Sequence, residues 1–148
     1  MNAKDLLDVK GRKVHSISEN ATILEAVSEL TKNKIGLLII KNPAGDISGV
    51  LSERDIVEKV IYFKKDTSVE KVKSVMTPRE KLLISSESDS VQSIMNTMTK
   101  SKIRHVLVFN GKEMSGIISI GDVVKSMLEE KEFEIKTLTD YISGKYPV

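Results

Sequence analysis

The chain has 148 residues, 40% of them hydrophobic, and a formal net charge of +2. It has no Cys and only two His, His15 and His105, which removes disulfide frameworks, thiolate metal sites and Cys nucleophiles and argues against a structural metal. Lys and Glu are interspersed and aromatics make up only 4%, so the chain offers neither a basic stripe nor a stacking platform for nucleic acid.

Residues 1–12, MNAKDLLDVKGR, read as an N-terminal helix or arm. Their charge, with no apolar run behind, fits neither a signal peptide nor a membrane span, so a cytoplasmic protein is expected. A first repeat is expected over 13–65. It opens with a short extended piece, KVHSI (13–17). Thr22 with Glu25 three residues on has the form of a capping box, and Ile23, Ala26, Val27 and Leu30 follow at helical spacing. IGLLII (35–40) is a continuous apolar run, the pattern of a strand buried on both faces. KNPAGD (41–46) reads as a turn, ISGVLS (47–52) as the next strand, and a closing helix begins at Glu53.

A second repeat, with a linker ahead of it, is expected over 66–128. In the linker, SVEKVKSVM (68–76) looks like a short amphipathic helix that Thr77-Pro78 ends. KLLIS (81–85) is the extended piece, and Ser90 caps a helix with Val91, Ile94, Met95 and Met98 on one face. IRHVLVF (103–109), the turn NGKE (110–113) and MSGIIS (114–119) then repeat the hairpin, and the second closing helix starts at Ile120. From Asp122 that helix could continue to about Ile142, with no Pro or Gly until Gly144, and 129–148 is expected as a helical extension. Val124, Leu128, Ile135, Leu138 and Ile142 mark an apolar stripe on it. Such a stripe needs a cover, either the N-terminal helix around Leu6 and Leu7 or a second subunit.

The two halves align with one gap at Pro43. Identities include Lys34/Lys102, Ile35/Ile103, Gly49/Gly116, Ser52/Ser119 and Asp55/Asp122. A unit of about 55 residues buries too little surface to be robust alone. The expected fold is therefore mixed α/β (α+β): two pseudo-symmetric β-α-β-β-α repeats packed sheet to sheet, with a long C-terminal helix.

The duplicated GVLSERD (49–55) and GIISIGD (116–122), the VMTP at 75–78 and the IRHVLVF strand resemble the CBS domain, and the whole chain is similar to a stand-alone bacterial tandem CBS pair (Bateman module). The family often has Pro in its first hairpin strand, where Ile39 and Leu107 stand here. The resemblance implies a regulatory, non-catalytic module. It would bind an adenosine ligand in a cleft between the repeats: AMP first, with ATP, ADP, S-adenosylmethionine or a dinucleotide as alternatives. It also implies a homodimer, and an effector protein regulated in trans.

Ser52-x-x-Asp55 and Ser119-x-x-Asp122 each carry a structural reading and a binding one. As capping boxes they satisfy the free amides of a helix start. A helix start after a strand can also take an anion, and a carboxylate there can accept both hydroxyls of a ribose. The resemblance gives Asp55 and Asp122 the ribose role, and Ser52 and Ser119 phosphate or hydroxyl contacts. It places phosphate-binding cations at Arg104 and His105, where the first repeat has Gly36 and Leu37. Ser52, Arg54, Asp55, Thr77, Arg104 and His105 are thus expected to form the main nucleotide site. Lys13, Val14, Lys34, Ser119 and Asp122 would form a second, weaker one. The competing function is a structural or protein-interaction dimer that has lost its ligand. No nucleophile–base pair, metal spacing or Walker-type loop favours an enzyme.

Overall fold

Helix starts and stops recur at matched places in the two repeats. Thr22 caps α2 (Ile23–Asn33) by accepting the Glu25 amide at 3.2 Å, and Ser90 caps α4 (Val91–Ser101) by accepting the Ser93 amide at 3.0 Å. Both helices end on a lysine in the left-handed region, Lys34 and Lys102, each with φ of 53°. Ile23, Ala26 and Leu30 of α2 and Val91, Ile94 and Met98 of α4 are buried, as their spacing predicts.

The computed structural model describes residues 1–144. They fall into two compact units: Lys13–Leu83, and Met1–Arg12 with the chain from Ile84 onward. In the first unit, β1 (Ser16–Ser18) runs parallel to β2 (Leu37–Lys41), which pairs antiparallel with β3 (Ile47–Ser52). β4 (Thr77–Pro78) adds a fourth strand, with Thr77 opposite Val50 and Pro78 opposite Gly49. α3 (Glu53–Ile56) closes the repeat and continues as a π-helical turn over Val57–Ile61.

In the second unit, β5 (Ile84–Ser86) runs parallel to β6 (His105–Asn110), and β6 pairs antiparallel with β7 (Glu113–Ser119). Each hairpin carries a register shift at the matched place, Ile40/Lys41 and Val108/Phe109. This unit also holds α1 (Ala3–Lys10), and α5 (Ile120–Ile142) closes it.

Each unit has its own core. Ile23, Leu38, Ile40, Leu51, Val60 and Val72 form the first; Leu7, Ile94, Met98, Val106, Ile118 and Val123 form the second. Segment 68–76, read from the sequence as an amphipathic helix, makes only a 3-10 turn at Val72–Ser74, with Val72 and Val75 buried in the first core. Those two side chains and β4 fold residues 66–83 with the first repeat. Of the two covers considered for the α5 stripe, α1 does not serve. Its Ala3, Leu6 and Leu7 enter the core beside Val123, while Val124, Leu128, Ile135, Leu138 and Ile142 stay exposed. Residues 145–148 of the C-terminal extension lie outside the described residues. Among those described, no helix is long and apolar enough to cross a membrane.

Candidate functional site

The site begins where β3 turns into α3. Ser52 is the N-cap, in extended backbone, and its Oγ accepts the Asp55 amide at 3.1 Å. Asp55 Oδ2 in return accepts the Ser52 amide and hydroxyl, each at 3.0 Å. The other oxygen, Oδ1, faces two further donors: Lys59 Nζ at 3.0 Å and the Thr77 hydroxyl at 3.4 Å. Asp55 is only 8% exposed, so these donors replace the water it gives up. Lys59 also donates to the Val75 carbonyl at 3.0 Å. Ser52, Asp55 and Thr77 therefore meet at one helix start.

Gly49 explains how Thr77 comes so near. A Cβ there would collide with the Thr77 carbonyl oxygen, so only glycine lets β4 close on β3. Arg54, on the exposed side of the same turn, pairs with Glu58 at 3.0 Å.

The second repeat builds the same start at the β7–α5 junction. Ser119 Oγ accepts the Asp122 amide at 3.1 Å, and Asp122 Oδ2 accepts the Ser119 amide at 2.8 Å. Here the added donor is Lys10 Nζ of α1, which bonds Asp122 Oδ2 at 2.5 Å and the Ile117 carbonyl at 2.7 Å. Burial pushes the Asp122 carboxyl up. The bonds from Lys10 and Ser119, with the Lys10 charge, outweigh this and hold it below the usual carboxylate range. The residue at the place of Gly49, Gly116, packs against Leu7 of α1 rather than against a strand.

The cation positions also correspond. The Gly36 carbonyl accepts the Glu53 amide at 3.1 Å, and the Arg104 carbonyl accepts the Ile120 amide at 2.8 Å. Arg104 is exposed, and half-buried His105 is paired in register with Ser119. Ser52, Arg54, Asp55 and Thr77 belong to the first unit, and Arg104 and His105 to the second. Of the weaker set, Lys13, Val14 and Lys34 belong to the first unit, and Ser119 and Asp122 to the second. Among the described residues, no three of His, Cys, Asp and Glu gather as a metal site.

Sequence reasoning missed the two lysines. Lys59 is one helical turn beyond Asp55, a spacing that could have revealed it. Lys10 is 112 residues from Asp122, and no local pattern connects them.

The model of the CBS domain matches residues 4–62 and 58–129. The chain is 31% identical to the CBS domain-containing protein CBSX3, mitochondrial, of Arabidopsis thaliana, over 96% of this chain and 72% of that protein. It resembles the structure of a putative signal-transduction protein with CBS domains from Burkholderia ambifaria, with 29% identity and a TM-score of 0.81, covering 87% of this chain and 95% of that one. It also resembles a CBS domain protein from Pyrobaculum aerophilum complexed with AMP, with 28% identity and a TM-score of 0.70, covering 82% and 89%. With the matched model spanning nearly the whole chain, this protein belongs to the CBS-domain family and carries two CBS domains in tandem.

Proposed function

We propose that the chain is a regulatory adenine-nucleotide sensor without catalytic activity, acting in the cytoplasm on an effector in trans. The observation that carries this reading is the capped carboxylate of Asp55. It is held at a helix start by Ser52, with a neutral hydroxyl, Thr77, across from it. A ribose diol can offer hydroxyl donors in place of Thr77 and Lys59, and a helix start favours negative charge nearby. Arg104 and His105 are the proposed phosphate-binding cations, with Arg54 adding positive charge. AMP is the first choice of ligand because the Pyrobaculum aerophilum relative is complexed with it. ATP, ADP, S-adenosylmethionine or a dinucleotide are the other adenosine ligands considered.

Regulation requires that the nucleotide bind two arrangements of the protein unequally. A homodimer supplies an assembly on which such a preference can act. Val57 and Ile61 of the first closing helix and Val124 and Leu128 of the second sit at matched positions, between 46% and 59% exposed. These paired apolar faces support self-association. Light scattering is expected to give a dimer for the wild type and a shift toward monomer for Leu128→Glu.

Thermal unfolding with AMP, ADP, ATP and S-adenosylmethionine tests the sensor reading. A ligand present at a hundred times its Kd stabilises a protein by about 2.7 kcal/mol, a shift of several degrees for a chain of this size. A melting temperature unmoved by the whole panel leaves the structural dimer as the function.

A further inference from the structure

The two repeats neutralise their capped carboxylates differently. Asp55 receives Lys59 from one turn along its own helix, with the lysine side chain 42% exposed and 3.0 Å away. Position 126, the counterpart of Lys59, is a serine, whose hydroxyl points to the Met1 sulfur at 3.0 Å. The second repeat takes its ammonium instead from Lys10, which is shorter in contact at 2.5 Å and less exposed at 31%.

Lys10 also sits on an anchored element. Ala3, Leu6 and Leu7 of α1 are buried in the second core. Just past the helix, Arg12 bonds Glu87 at 3.0 Å and Asp8 at 2.8 Å. The Lys10 ammonium is thus delivered to Asp122 by a docked helix, and its second bond goes to the Ile117 carbonyl of β7.

We infer that Lys10 is a built-in competitor for the Asp122 carboxylate and limits the chain to one nucleotide at the first repeat. This rests on the nucleotide reading above. A ligand hydroxyl approaching Asp122 must displace a charge-assisted bond that is short and partly desolvated, and must leave the ammonium without its anion. On the first repeat the ammonium to be displaced is Lys59, longer in contact at 3.0 Å and more exposed at 42%, on a side chain that can swing into water. The other donor there, Thr77, is neutral, stands at 3.4 Å, and can both donate to and accept from a ligand.

Calorimetric titration of AMP into wild type, Lys10→Met and Lys10→Arg tests this by stoichiometry. One site per chain is expected in wild type and in Lys10→Arg, which keeps the charge. Two are expected in Lys10→Met, and the gained site is expected to vanish in Lys10→Met/Asp122→Ala. The arginine variant separates competition from any loosening of α1, and circular dichroism confirms that each variant is folded. One site in both wild type and Lys10→Met overturns the competitor role while leaving the nucleotide reading intact. Two sites in wild type overturn it as well. No binding by any of the proteins overturns the nucleotide reading, and the role of Lys10 falls with it.

Discussion

The two CBS repeats share a plan down to the bulge in each hairpin, yet they are completed by different pieces of chain. The first repeat is finished by residues that follow it: Val72 and Val75 in its core and β4 along its sheet. The second is finished by residues far earlier in the chain, with Leu7 on Gly116 and Lys10 on Asp122. A repeated sequence therefore preserves the interior of each unit, while the piece laid against its capped helix start is free to diverge. At Asp55 that piece brings a hydroxyl, and at Asp122 an ammonium.

The strongest way to break this comparison is to remove the completing side chains. Leu7 is fully buried, so Leu7→Ala is expected to cost about 3 kcal/mol in urea unfolding, as much as truncating a leucine inside a core. A cost near zero would show that α1 is an appendage and not part of the second unit.

The glycines come next. Gly49→Ala sets a Cβ against a backbone oxygen, which can yield only if β4 leaves β3, and is expected to cost about 2–3 kcal/mol. Gly116→Ala meets the end of the Leu7 side chain at 2.8 Å, which can rotate, so about 1 kcal/mol is expected. Equal losses for the two alanines would contradict the claim that a strand covers one glycine and a side chain the other.

Much of this was legible in advance, for a physical reason. Capping and helical periodicity are local, so Thr22, Ser90, Ser52 and Ser119 could be placed as helix starts from spacing alone, and each accepts the amide expected. Continuous apolar runs gave the buried hairpins. The completing pieces were not legible because they depend on long-range packing. SVEKVKSVM suits a helix locally, yet burial of Val72 and Val75 and pairing of Thr77 with Val50 hold it in a turn and an extended stretch. Lys10 looks like an ordinary helix-end lysine, and only the docking of α1 reveals its partner.

Two smaller effects sharpen the comparison. Ser52→Ala and Ser119→Ala are each expected to cost about 1 kcal/mol, because both caps satisfy the same amide of their helix. Thermal unfolding that finds one cap dispensable would break the equivalence of the two starts. The smallest effect concerns acid. The Asp122 carboxyl is held below its unfolded value of about 3.9, so it adds stability that is present above that pH and is lost as pH falls through the folded value. Lys10→Met is expected to shrink that acid-dependent loss below about pH 4. An unchanged acid profile would mean that Lys10 does not act on Asp122 in solution.

The central claim is that matched carboxylates have unmatched roles, and AMP titration of Asp55→Ala and Asp122→Ala tests it most directly. The account predicts that Asp55→Ala weakens binding at least tenfold, the effect of losing a charge-assisted pair of bonds worth about 1.4 kcal/mol or more, while Asp122→Ala stays within about twofold of wild type. Undiminished affinity in folded Asp55→Ala, or the larger loss in Asp122→Ala, would contradict it.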